Sequence, residues 1–157
     1  MPLLINNYGV IVDDWVYLDD EQALNRHRRV ILSPARLLRE ITQLTKAQLA
    51  IGVKLDAAAA VEEIIPLLDL VEVVVLEFTN FTDGRAFSQA RLLRQRYGFE
   101  GNIRAHGDVL RDQLDFMKRC GFDQFQIAET EDPDLAVHAF SDISSPYQSN
   151  LNQSAGR

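Results

Sequence analysis

The residues whose types and spacing could do chemistry lie mostly between positions 77 and 113. Four successive apolar runs each carry a polar side chain late in the run: Lys54, then Glu77, then Arg104 with His106, then Gln126. Strands covered on both faces should be almost wholly apolar. Such a series therefore reads as a polar layer at the mouth of a pocket, or as charges that satisfy one another, for example Glu77 pairing with Arg104. Histidine as a residue type can serve as acid or base near neutral pH, and His106 or Asp108 is a candidate acid–base catalyst.

Two loops extend the pattern. Asp83, Gly84 and Arg85 precede a predicted helix whose first turn holds Ser88. Helix N–H groups beside a hydroxyl and a guanidinium make a natural anion site. The same residues also read as a capping turn, with Asp83 as the cap and Gly84 left-handed. After His106 come Asp108, Arg111, Asp112 and Gln113. On a helix beginning at Val109, Gln113 falls among Val109, Phe116, Met117 and Cys120, an apolar arc in which an amide must find a partner. The anion-binding set is thus Asp83, Gly84, Arg85, Ser88, Arg104, Arg111 and Gln113, with Glu77 and Asp112 in support. No second or third ligand at metal spacing accompanies His106, so no metal is expected.

These residues need elements to hold them. Gly9–Val12 and Trp15–Leu18 read as a hairpin about Asp13-Asp14. From Val30 onward strands and helices alternate. The strands are 30–32, 51–55, 71–78, 102–106 and 122–128. Helices follow over 34–48 (Ser33 as cap, Pro34 at the first helical position), 57–65 (capped by Asp56), from Ala86 to Tyr97, over 109–120 (capped by Asp108) and over 133–143. The expected fold is α/β: an N-terminal β-hairpin followed by five β-α units with a mainly parallel sheet, open or curled into an incomplete barrel. In such sheets ligands bind at the carboxyl ends of the strands, where these loops gather. One domain is expected over 1–143, with a polar, loosely ordered tail over 144–157.

Composition removes several classes. The 157 residues are 46% hydrophobic and 25% charged, with a net charge of -7, which argues against broad contact with nucleic acid or anionic membrane. Cys120 is the only cysteine, so no disulfide forms within the chain. The start, MPLLINNYGVIVDDW, lacks a basic region followed by a long apolar run, and a cytoplasmic protein is expected. No dinucleotide fingerprint, phosphate loop, paired C-x-x-C or G-x-S-x-G is present. The residues therefore name no cofactor. A redox role would need one held in another way or supplied by a partner. Five parallel strands left open would expose edges, which makes a homodimer a reasonable expectation.

The run from Phe78 to Phe125 resembles the bacterial DUF934 family. The matching residues are Phe78, Phe81, Asp83, Gly84, Arg85, Ser88, Ala90 to Arg94, Arg96, Tyr97, Gly98, Gly101, Arg104, Ala105, Gly107 to Leu114, and Arg119 to Asp123. Weaker similarity extends to the Trp15 region and to Tyr147-Gln148. Thr79-Asn80 and Ala86-Phe87 depart from the family's Pro-Lys and Gly-Tyr types. Members are often labelled oxidoreductases associated with sulfite reduction, being encoded beside a haem-type sulfite or nitrite reductase. The resemblance thus implies an accessory role with that reductase as partner and a small anion as ligand. A free-standing enzyme on a phosphate or carboxylate metabolite and a structural interaction module stay open beside it.

Overall fold

From Arg29 onward, β-branched runs alternate with amphipathic ones, and the chain obeys that rhythm. The computed structural model describes residues 3–56, 58–79 and 84–143. Among them are eight strands: β1 (Leu3–Asn6), β2 (Gly9–Ile11), β3 (Val16–Tyr17), β4 (Arg29–Leu32), β5 (Ala50–Leu55), β6 (Val73–Phe78), β7 (Asn102–Gly107) and β8 (Gln124–Ile127). Four helices, α1 (Pro34–Lys46), α2 (Arg85–Arg91), α3 (Leu114–Cys120) and α4 (Pro133–Ile143), lie among them. The strands form one sheet in the order β2-β1-β8-β7-β6-β5-β4-β3. β3 to β8 run parallel, and β1 pairs antiparallel with both β2 and β8.

The sheet is open but strongly curled, a half-barrel. One contact makes the curvature plain. Tyr17 of β3 donates its hydroxyl to Gln126 Oε1 of β8 at 3.3 Å. Five strand spacings separate those strands in the sheet order, which in a flat sheet would be about 24 Å. Only a concave face brings the two side chains together.

Alternation along each strand assigns the two faces. Val30, Leu32, Val53, Leu55, Val74, Leu76, Ile103, Ala105 and Phe125 point to the helices and form the main core with Leu37, Leu44, Ala86, Ala90, Leu93, Leu114 and Met117. The concave face carries a small second core, Ile31, Val73 and Val75, against which Trp15 and Tyr17 pack. Gly52 fits this spot because a Cβ there would lie 2.5 Å from Val73 Cγ1 and 2.9 Å from Ile31 Cγ1.

Local chemistry explains most boundaries. Ser33 caps α1, its Oγ accepting the N–H of Arg36 at 3.1 Å, with Pro34 at the first position. α2 runs on through one π turn at Leu92–Arg96, closed by the Tyr97 N–H to Leu92 O at 3.1 Å.

Three expectations are corrected. Gly9–Val12 and Trp15–Leu18 do not pair: β2 and β3 occupy opposite edges of the sheet. The N-terminal hairpin is instead β1–β2, turned by Asn6, whose Oδ1 accepts the N–H groups of Tyr8 and Gly9 at 2.8 and 3.1 Å. The helix expected over 57–65 is replaced by two 3-10 turns, Val61–Glu63 and Ile65–Leu70. Asp56 turns the chain locally, taking the Ala58 N–H at 2.9 Å, and Pro66 cannot supply a helical donor. The helix expected from Val109 starts only at Leu114, after a 3-10 turn at Arg111–Gln113. Asp108 does not cap it: Leu110 and Gln113 hold the cap positions of the turn and the helix, and neither supplies a side-chain hydrogen bond. The expected tail, 144–157, lies outside the described residues.

Candidate functional site

Parallel pairing fixes which side chains meet on the concave face. The register sets Lys54 beside Val75, Val75 beside Arg104, Glu77 beside His106, and Arg104 beside Gln124. Lys54, Glu77, Arg104, His106, Gln124 and Gln126 therefore share one face of β5 to β8, with Lys54, Glu77 and His106 next to the carboxyl ends of their strands.

Glu77 is the centre of the first group. Its Oε1 pairs with Lys54 Nζ at 3.0 Å and its Oε2 with His106 Nδ1 at 3.0 Å. The expected Glu77–Arg104 pair is not made, because Arg104 faces Val75 and it is His106 that stands opposite Glu77. The His106 hydrogen bond, joined by Lys54, outweighs burial and lowers the Glu77 pKa from 4.5 to about 2. An ionised carboxylate only accepts, so Nδ1 of His106 must carry its proton. That leaves Nε2 as the ring atom able to exchange a proton with a ligand, the arrangement in which a carboxylate orients a catalytic imidazole.

A depressed carboxylate pKa gives stability that is present above the unfolded value and lost as pH falls through the folded one. Here the window runs from 4.5 down to about 2. A shift of that size corresponds to about 3 kcal/mol, and water reaching Lys54 and His106 brings the expected contribution to about 2 kcal/mol. Urea unfolding across that pH range should show a loss of this size that is absent in Glu77→Gln. Equal acid losses in both proteins would refute the assignment.

Arg104 is the centre of the second group, and its side chain is 0% exposed. Nε donates to Gln124 Oε1 at 3.0 Å. Nη1 donates to Asp13 Oδ2 and to the Tyr17 hydroxyl, both at 3.2 Å. Nη2 has no hydrogen-bond partner among the described residues. Tyr17 joins the two groups. Its ring lies 5.6 Å from that of His106, and Lys54 Nζ stands 5.7 Å from its centroid. Burial raises the Tyr17 pKa against the pull of Arg104, so the hydroxyl stays a neutral donor to Gln126.

The other described residues singled out above follow the carboxyl ends of β6 and β7 in the chain. β6 and β7 are neighbours, and their last residues, Phe78 and Gly107, lie side by side. Gly84, Arg85 and Ser88 line a cleft of about 410 Å³ together with Gln89 and Ala58 to Glu62. Glu77, Arg104 and His106 are not in its lining. Asp83 lies outside the described residues. Asp108, Arg111, Asp112 and Gln113 are exposed around the exit of β7. Gln113 thus leaves the apolar arc assigned to it: with the helix starting at Leu114, Leu114, Asp115, Met117 and Cys120 are the buried residues.

Sequence reasoning missed Asp13 and Tyr17, which enter from a segment far away in the chain. It also missed a larger cleft of about 1050 Å³ beside Tyr17 and Lys54, lined by Asp19, Asp20, Glu21, Asp56 and Glu63 among others. Among the described residues, no group of three or more His, Cys, Asp or Glu could hold a metal ion, and no helix is long and apolar enough to cross a membrane.

The model of a family described as "Bacterial protein of unknown function (DUF934)" matches residues 52–156. No curated protein matches the chain. The matched span contains Lys54, Glu77, Arg104 and His106 but not Asp13 or Tyr17.

Proposed function

The chain belongs to the DUF934 family, and from that premise we propose an oxyanion-handling accessory protein of assimilatory sulfite or nitrite reduction. The anion would sit at the carboxyl end of the half-barrel on Lys54, Arg104 and His106, drawn in past Arg85, Ser88 and Arg111. One observation carries the reading: two fixed cations and an imidazole with an available nitrogen converge around Tyr17. Charge-assisted donors of this kind hold small oxyanions far better than neutral ones. The nature of the anion and the reductase as partner come from the family's usual gene neighbourhood.

Calorimetric titration with sodium sulfite and sodium sulfate, against sodium chloride at equal ionic strength, should give saturable binding that Lys54→Met weakens about tenfold, or about 1.4 kcal/mol. Heats no larger than those of chloride would remove the oxyanion. Failure to co-purify with a haem-type sulfite reductase would remove the partner.

A second reading, an enzyme on a small phosphate or carboxylate metabolite, is favoured by the Glu77–His106 pair. His106 would be the acid–base group and exposed Asp108 an auxiliary. Pairing of two copies belongs with either reading. The free edges are β2 and β3, three and two residues long, and the mass in solution decides it.

A further inference from the structure

The segment joining β2 to β3 crosses the open side of the half-barrel, since those strands lie at opposite edges of the sheet. Asp13 sits in that crossing, outside any strand or helix, and its side chain is 27% exposed while that of its partner Arg104 is 0% exposed. A guanidinium presents its N–H groups as a flat fork that fits two oxygens of one anion at once. Asp13 uses only one arm, Nη1 at 3.2 Å, and Nη2 is left buried without a partner. Buried cations need a counter-charge. Here that counter-charge sits on a short crossing segment of no regular structure, and it matches the fork incompletely.

The charges on the concave face lead to the same place. With Asp13 seated, Lys54 and Arg104 are balanced by Glu77 and Asp13. With Asp13 withdrawn, the face holds one positive charge in excess, and the two Nη groups of Arg104 keep only the Tyr17 hydroxyl, on Nη1.

We propose that Asp13 is a tethered internal carboxylate occupying the seat that an external oxyanion or carboxylate takes on Arg104, so that ligand entry exchanges one for the other. The incoming group spans Nη1 and Nη2. The crossing segment lifts as Asp13 leaves, and Tyr17 loses its place beside Nη1. This rests on the oxyanion reading of the site given above.

The molecule carries its own reporter. Trp15, the only tryptophan, lies two residues beyond Asp13, and the Arg29 guanidinium stands 5.5 Å from its ring. Arg29 also pairs with Asp14 at 3.3 Å, so the crossing segment and the indole move together. The test is titration of the wild-type protein and Asp13→Asn with sodium sulfate and sodium sulfite, followed by calorimetry and by Trp15 emission. Asp13→Asn is expected to bind about tenfold more tightly, and the wild-type emission to shift to the red in proportion to occupancy. Binding by the wild type with no gain in a folded Asp13→Asn overturns the exchange and leaves the oxyanion reading standing. No binding by either protein removes both. If Asp13→Asn does not fold, the wild-type emission decides: saturable binding with an unmoved Trp15 signal overturns the proposal.

Discussion

Alanine at Gly107 is expected to destabilise the protein by about 4 kcal/mol, lowering the melting temperature by roughly 10 °C. The position has φ +96°, a region that side chains with a Cβ rarely adopt. That alone costs about 1–2 kcal/mol. The remainder is steric, because a Cβ at this point would overlap the carbonyl oxygen of Phe78 and stand 2.7 Å from Glu77 Oε2. Neither neighbour can yield cheaply. The Phe78 carbonyl accepts the Asp108 N–H at 2.8 Å, and Glu77 Oε2 holds His106. The substitution therefore strikes the end of the β6–β7 ladder and the orientation of the imidazole together. Urea unfolding would measure the first, and the acid window assigned to Glu77 should shrink with the second. A loss below about 1 kcal/mol would mean that the strand ends are far more compliant than the geometry implies.

Arg94→Met should cost about 3 kcal/mol, although Arg94 touches none of the concave-face groups. Its Nε donates to Gly121 O at 3.0 Å, and Nη1 donates to Phe99 O and Gly101 O at 2.8 and 2.7 Å. Nη2 reaches Asp123 Oδ2 at 3.5 Å. Asp123 in turn receives the Ile103 N–H at 2.9 Å, which ties the start of β7 to the start of β8. Methionine keeps the apolar stem but abandons three carbonyls. Burial lowers the Arg94 pKa, so the charge itself is costly here and is retained for the bonds it makes. Arg94→Lys should recover little, since one ammonium cannot span three carbonyls in the plane of a guanidinium. Thermal unfolding of both variants is the check. Recovery of most of the loss by lysine would show that charge alone matters.

The rhythm of the fold was legible because it is written locally. Ser33-Pro34 starts α1 and Pro133 starts α4 where expected, and Val73 to Phe78 forms a strand near the middle of the sheet. Pairing between distant segments was not legible. Nothing in Gly9–Val12 or Trp15–Leu18 says that runs separated by two residues belong to opposite edges, and Asp13-Asp14 reads as a turn until Arg104 is seen beneath it. The real turn left a sign in Asn6 and Gly9, a side-chain acceptor three residues before a glycine with positive φ.

The polar face was legible as a set of residues but not as a set of pairs. Which partner Glu77 takes depends on strand register, and a shift of two positions separates Arg104 from His106. Gln113 was misplaced for a similar reason. With the helix begun at Leu114, Gln113 falls in the preceding 3-10 turn, off the arc that Met117 and Cys120 still form, and Asp115 is buried instead.

The pairing of β1 with β8 has a consequence for how the protein is made. Leu3 lies beside Ile127 and Ile5 beside Phe125, partners more than a hundred residues apart. During translation the β1–β2 hairpin has to wait, with one edge of β1 unpaired, until β8 leaves the ribosome. The crossing segment that brings Asp13 and Tyr17 to Arg104 is anchored on one side by that same hairpin. A nascent chain halted before β8 thus carries every concave-face residue up to His106 without the docking that assembles them, so the site comes into being only near the end of synthesis.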